Sequence, residues 1–140
     1  MSEQTDVLNS FAGMTLFADL TGPQLEAVAH TFEEDFFDEG TRILRRNFAG
    51  SGFYVIIEGE AAVNIDGKQI ATLSRGDFFG DISALLGELP TADVVATRPL
   101  RCAVLPAKDL ERFLVGHPTV ALRMLKGLAR RLRTTTSWQN

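Results

Sequence analysis

At 140 residues, with 45% hydrophobic and 23% charged residues, the chain has ordinary globular composition and enough length to enclose a hydrophobic core as one domain. Residues 1–6 are polar and acidic, without the basic and apolar stretches of a signal peptide, and no apolar run approaches bilayer thickness, so no signal peptide or membrane span is read and a cytoplasmic location is expected. The net charge of −4 is uneven: residues 1–41 hold nine acids and no Lys or Arg, whereas Arg123, Lys126, Arg130, Arg131 and Arg133 crowd the last helix, and a solvated surface is the simplest reading of each.

In chain order, residues 7–31 read as short helices. Thr21 is a candidate N-cap, Pro23 falls in the first turn, and Leu25, Val28 and Ala29 share a face. From 36 to 105 glycines punctuate short runs rich in Val, Ile, Phe and Thr, which predicts strands at 41–45, 53–58, 61–66, 69–73, 94–97 and 101–105. Asp66-Gly67 is a hairpin signal, and Glu58-Gly59 a weaker turn. Many short strands joined by glycine turns predict a jelly-roll rather than a parallel sheet. After Pro106 the period returns to helical, with one helix over 106–115, stopped by Gly116-His117-Pro118, and another over 119–133. In the latter Ala121, Leu125, Leu128 and Leu132 follow 4-3-4 spacing, a two-heptad seam that can pack on the roll or pair two copies. The fold class expected is α+β: a β-roll flanked by N-terminal helices and a long C-terminal helix. No linker or repeat divides the chain, and residues 1–6 and 134–140 are expected to be disordered.

Few residues promise covalent chemistry. His30 and His117 each lack partners at metal-ligand spacing, so no metal is expected. There is no nucleophile elbow, P-loop or dinucleotide fingerprint, and the strands lack the histidines of a metal-binding β-roll. The chain is therefore not expected to be an enzyme or to carry a cofactor. Cys102, next to Ala103-Val104-Leu105, reads as a buried core thiol. The exception is Gly76 through Ala96. Glycines bracket Phe78-Phe79, and Gly80 precedes the helical turn Ile82-Ser83-Ala84-Leu85-Leu86. Amides opening such a turn are unpaired and converge on one point, where Ser83 adds a hydroxyl. Thr91 and Ala92 are small enough to admit a close approach. The segment is a plausible anion cradle.

In these residues the chain resembles the cyclic-nucleotide-binding domain family, of the catabolite-activator and protein kinase A regulatory-subunit kind. The likeness runs from about Leu16 to Arg133. It includes Leu16-Phe17-Ala18-Asp19-Leu20, the strand-turn-strand stretch Gly52 to Ala61, the cassette 79–96 and Val104-Leu105-Pro106 with the helix that follows. The resemblance implies that Gly80 and the amides of Ile82 and Ser83 hold a cyclic phosphate. It implies that Asp81 stands where a Glu usually takes the ribose 2′-hydroxyl. It also implies that Pro90 stands where an Arg usually neutralises the phosphate, followed by the small residues Thr91 and Ala92. Two side chains thus depart from the pattern, and Arg46-Asn47-Phe48 departs from the Glu-Gly-Asp often found upstream. Losing a charge-assisted hydrogen bond of about 1.5–3 kcal/mol weakens binding roughly 10- to 100-fold. Asp81 and Asp93 make the local field more negative, and the nearest cations by sequence are Arg75 and Arg98.

Two functions follow as expectations. One is a cAMP- or cGMP-type sensor domain with weak or non-standard binding, read by an unidentified effector protein because the chain carries no effector or helix-turn-helix domain of its own. The other is a ligand-free module acting through dimerisation by Ala121, Leu125, Leu128 and Leu132. DNA binding by the basic helix is less favoured than a solvated face.

Overall fold

The computed structural model describes residues 3–48 and 52–139, with side chains over 7–48 and 52–134. Its strands are β1 (Glu33–Phe37), β2 (Arg42–Leu44), β3 (Gly52–Glu58), β4 (Ala61–Ile65), β5 (Lys68–Leu73), β6 (Phe78–Phe79), β7 (Asp93–Ala96) and β8 (Leu100–Pro106). They form two antiparallel four-stranded sheets, ordered β1-β8-β3-β6 and β2-β7-β4-β5. The helices are α1 (Glu3–Phe11), α2 (Gly22–His30), α3 (Asp81–Leu86), α4 (Leu110–Gly116) and α5 (Pro118–Gln139), with 3-10 turns at Thr15–Phe17 and Ala107–Asp109. This is the β-roll with flanking helices and a long C-terminal helix that the glycine-punctuated pattern predicts.

Alternation along β3 divides the interior. Tyr54 and Ile56 face into the roll, where Leu44, Ala61, Leu73, Phe79, Val94, Ala96, Leu100 and Cys102 close a core between the two sheets. Phe53, Val55 and Ile57 face the other way, onto a core built with Phe11, Phe17, Val28, Phe113, Val120 and Met124 from the helical segments and Phe32 from the link between α2 and β1. Because successive strand residues point to opposite faces, a strand covered on both sides must be apolar throughout, and β3 is buried from Gly52 to Ile57. Phe78 and Phe79 repeat this division in β6: Phe78 packs 5.6 Å from the Phe53 ring, and Phe79 stacks at 4.7 Å on Tyr54.

The local signals act as expected. Thr21 caps α2 through a reciprocal pair: Gln24 N–H donates to Thr21 Oγ1 (3.2 Å) and Thr21 N–H to Gln24 Oε1 (2.9 Å). Asp66 and Gly67 turn the β4–β5 hairpin with φ of 52° and 77°, the two positive values of a type I′ turn. Cys102 is fully buried in the roll. Gly50, read as a turn glycine, lies outside the described residues.

Four expectations are corrected. The acidic run Glu33-Glu34-Asp35 belongs to a strand, β1, because it pairs with β8 and because Glu34 is sheltered by an ion pair to Arg101. The two-residue β6 is too short to leave a periodic trace. Residues 3–6 and 134–139, read as disordered, continue α1 and α5 as helix. The proposed seam of α5 is split: Leu128 packs towards the helical core and Ala121 is half-buried, but Leu125 and Leu132 are 62% and 68% exposed. The row that packs inward is offset by one residue and runs through Val120 and Met124, each 2% exposed.

Candidate functional site

The cassette is shaped by one backbone requirement. β6 runs antiparallel to β3, with Tyr54 opposite Phe79, and the chain must then turn sharply to start α3. Gly80 makes that turn at φ 83°, and a Cβ there would stand 2.3 Å from the Gly52 carbonyl oxygen. Only glycine satisfies both conditions without strain. The first bond of α3 runs from Ala84 N–H to the Gly80 carbonyl (3.1 Å), so the amides of Asp81, Ile82 and Ser83 precede the helix's own ladder. The Ser83 hydroxyl, expected to face an anion, instead donates to the Glu88 carbonyl (2.6 Å) and ties the two ends of α3 together.

Gly80, Asp81, Ile82, Ser83, Pro90, Thr91 and Ala92 all line one cavity of about 1030 Å³. Its apolar wall comes from the second sheet, with Val63, Ile65 and Leu73, and α5 lies across its other side. Pro90 is buried, and its carbonyl accepts the Asn47 amide (3.0 Å), while Asp93 Oδ1 accepts the Arg46 amide (2.7 Å). The two segments that depart from the family pattern, 46–48 and Pro90, therefore touch each other. The Arg46 side chain leads outward to Asp66 (2.7 Å).

Asp81 is the buried polar residue of the site. Burial pushes its carboxyl above the ordinary range, and the Arg131 guanidinium works against that shift. Arg131 reaches it from α5, with Nη1 3.5 Å from Asp81 Oδ1. Its Nη2 donates to the Phe78 carbonyl, and the guanidinium lies 4.2 Å from the centre of the Phe78 ring. Gly127 lets α5 come this close, since a Cβ there would be 3.1 Å from Phe78 Cε2.

The charge around the cavity reverses the expectation from the cassette alone. Arg75, Arg123, Arg130 and Arg131 line it, against Asp77 and Asp81, and Asp93 is not among the lining residues. Arg75 is tied to the carbonyls of Ile57 (3.0 Å) and Ser10 (2.7 Å), and Arg98 does not reach the cavity. Neither takes the place of the missing cassette Arg. The α5 arginines, which local reading treated as a solvated face, are brought in from about fifty positions downstream; Arg131 pairs with Asp81 at a separation of 50 residues. Their spacing at 123, 130 and 131 on one helix was the available signal. His30 is exposed beside Glu26 (3.8 Å), and His117 lies against Phe113 (ring centroids 4.8 Å); neither lines the cavity.

A β-roll with this cassette and capping helix defines a ligand-binding regulatory fold. The chain belongs to the cyclic nucleotide-binding domain family, whose model matches residues 34–117. It is 34% identical over 106 residues to the cAMP-dependent protein kinase regulatory subunit of Mucor circinelloides f. lusitanicus, covering 72% of this chain and 25% of that protein. It is 32% identical over 105 residues to the cGMP-dependent protein kinase egl-4 of Caenorhabditis briggsae, covering 71% of this chain and 14% of that protein. The chain thus spans a quarter or less of these relatives. Among solved structures, a PKAR CBD2 bound to Sp-2Cl-cAMPS superposes with a TM-score of 0.79 at 20% identity, over 96% of this chain and 92% of that one.

Proposed function

We propose that the chain is a sensor domain that binds a cyclic nucleotide, cAMP or cGMP, in the cavity between the cassette, the second sheet and α5. One observation carries this reading: seven cassette residues, spread from Gly80 to Ala92, line a single cavity of about 1030 Å³. That volume matches the upper end of small-molecule sites, roughly 300–1,000 Å³. The phosphate would meet Gly80 and the amides of Ile82 and Ser83. The base would lie on the apolar wall of Val63, Ile65 and Leu73. Asp81 is a methylene shorter than the usual Glu and would reach the ribose through a water. The relatives named for cAMP and cGMP dependence support the ligand class and leave the choice between the two open. Judged from the cassette residues alone, Pro90 in place of Arg would weaken binding roughly 10- to 100-fold. Binding would alter the seating of α5, and an effector protein would read that change in the cytoplasm.

The test is thermal unfolding with and without millimolar cAMP or cGMP. A ligand at 100 times its dissociation constant adds about 2.7 kcal/mol, a rise in Tm on the order of 10 °C for a chain this size. No rise with either nucleotide would sink the reading. A second reading would then stand, of an interaction module that has kept the fold. It is favoured by the outward-facing Leu125 and Leu132, 62% and 68% exposed, and predicts a homodimer in sedimentation that L125K/L132K makes monomeric.

A further inference from the structure

The cassette has no cation of its own at Pro90, yet the cavity holds four arginines against two acids. Three of the four are committed within the fold. Arg75 donates to two carbonyls, Arg123 pairs with Asp19, and Arg131 pairs with Asp81 and the Phe78 carbonyl. Among the described residues the Arg130 guanidinium has no hydrogen bond or ion pair, although it lines the cavity. It sits beside the cassette: its Nη2 is 4.0 Å from the point where a Gly127 Cβ would be, and Phe78 Cε2 is 3.1 Å from that same point. Arg131 meets Phe78, two residues before Gly80, and Arg130 is the preceding residue of α5 on the same cavity. Arg131 fastens the helix to the cassette, and Arg130 is left with its charge unspent at the cavity wall.

We propose that Arg130 is the specificity-determining cation of this site. It neutralises the anionic group of the ligand from α5, in place of the side chain that Pro90 lacks. This rests on the reading that the cavity takes a cyclic nucleotide. A guanidinium offers planar, paired donors suited to phosphate, and its reach of several bonds suits a group approached from outside the cassette. The ligand bridges cassette and helix, so occupancy and the seating of α5 become one equilibrium.

Calorimetric titration of cAMP and cGMP into the full chain and its variants tests the proposal. Arg130→Ala should weaken binding at least about tenfold, the loss of one charge-assisted contact. It should leave Tm without ligand unchanged, since Arg130 is exposed. Pro90→Arg placed in the Arg130→Ala background should restore the loss. Arg98→Ala, outside the cavity, should change nothing. Amide hydrogen exchange along 120–131 should slow on adding nucleotide to the wild type, and not to Arg130→Ala. If the wild type binds and Arg130→Ala binds equally well, the proposal is overturned while the cyclic-nucleotide reading stands. If the wild type binds neither nucleotide at millimolar concentration, that reading fails and this one with it.

Discussion

Removing the Arg131 guanidinium should expose how much the Asp81 pair contributes and at what pH. At 3.5 Å and an effective dielectric of about 20, two unit charges attract by about 5 kcal/mol before screening. Arg131 is 39% exposed, so water weakens that attraction, while Asp81 is only 7% exposed. We therefore expect Arg131→Ala to cost about 1–3 kcal/mol at neutral pH, short of the 3–5 kcal/mol for breaking a fully buried pair. The sign of the pH dependence follows from Asp81. Burial raises its folded pKa above the unfolded value, so between the two the folded chain holds more protons. The stability this group gives is present below the unfolded pKa and lost as pH rises through the folded one. Without Arg131 the folded pKa rises further and the loss is larger, so Arg131→Ala should cost more near pH 7 than near pH 4. Asp81→Asn should suppress most of the cost. Urea unfolding of the two single variants and the double, at both pH values, measures this coupling. A cost independent of pH, or one that persists fully in the Asp81→Asn background, would refute the reasoning.

Gly80→Ala should lose at least about 1–2 kcal/mol from the left-handed backbone alone, and more from the 2.3 Å approach to the Gly52 carbonyl, measured as a lower urea midpoint. Thr21→Ala removes one half of the α2 capping box and should cost about 1 kcal/mol, seen as a drop of a few degrees in Tm. Cys102 is fully buried, and desolvation, with Asp35 adding to it, pushes its thiol up to about 12. It should resist iodoacetamide at about pH 8 in the native chain and react once urea unfolds it; rapid native labelling would show that the roll opens there.

What could be read from the sequence was local. Asp66-Gly67 announces its hairpin because two consecutive positive φ values narrow the choice of residues, and Thr21 announces its helix because a cap acts within three positions. The cassette was legible for the same reason, since its glycines stand directly before the helical turn that they introduce, whereas the approach of Gly80 to Gly52 was not. β1 was not. Glu33 and Asp35 face solvent, and Glu34 is sheltered by Arg101 on the neighbouring strand, 67 residues away. The offset of the α5 packing row was also hidden. Val120 and Met124 compete with Leu125 and Leu132 for the inward face, and the aromatic core contributed by distant segments takes the first pair.

The same distinction governs the site. Judged by its own residues, the cassette is short of positive charge, and weak binding follows. The fold adds what the cassette lacks, because a helix laid across the cavity carries its charges with it. The two departures at Pro90 and at 46–48 are coupled through the Asn47 amide on the Pro90 carbonyl. An arginine at 90 would add a further cation to a cavity that Arg130 and Arg131 already line, and like charges sharing one cavity disfavour each other. On the proposal above, Pro90 and Arg130 are two halves of one arrangement. Pro90→Arg should improve binding less in the wild type than after Arg130→Ala, and the difference between those two gains measures how far the cation has moved from cassette to helix.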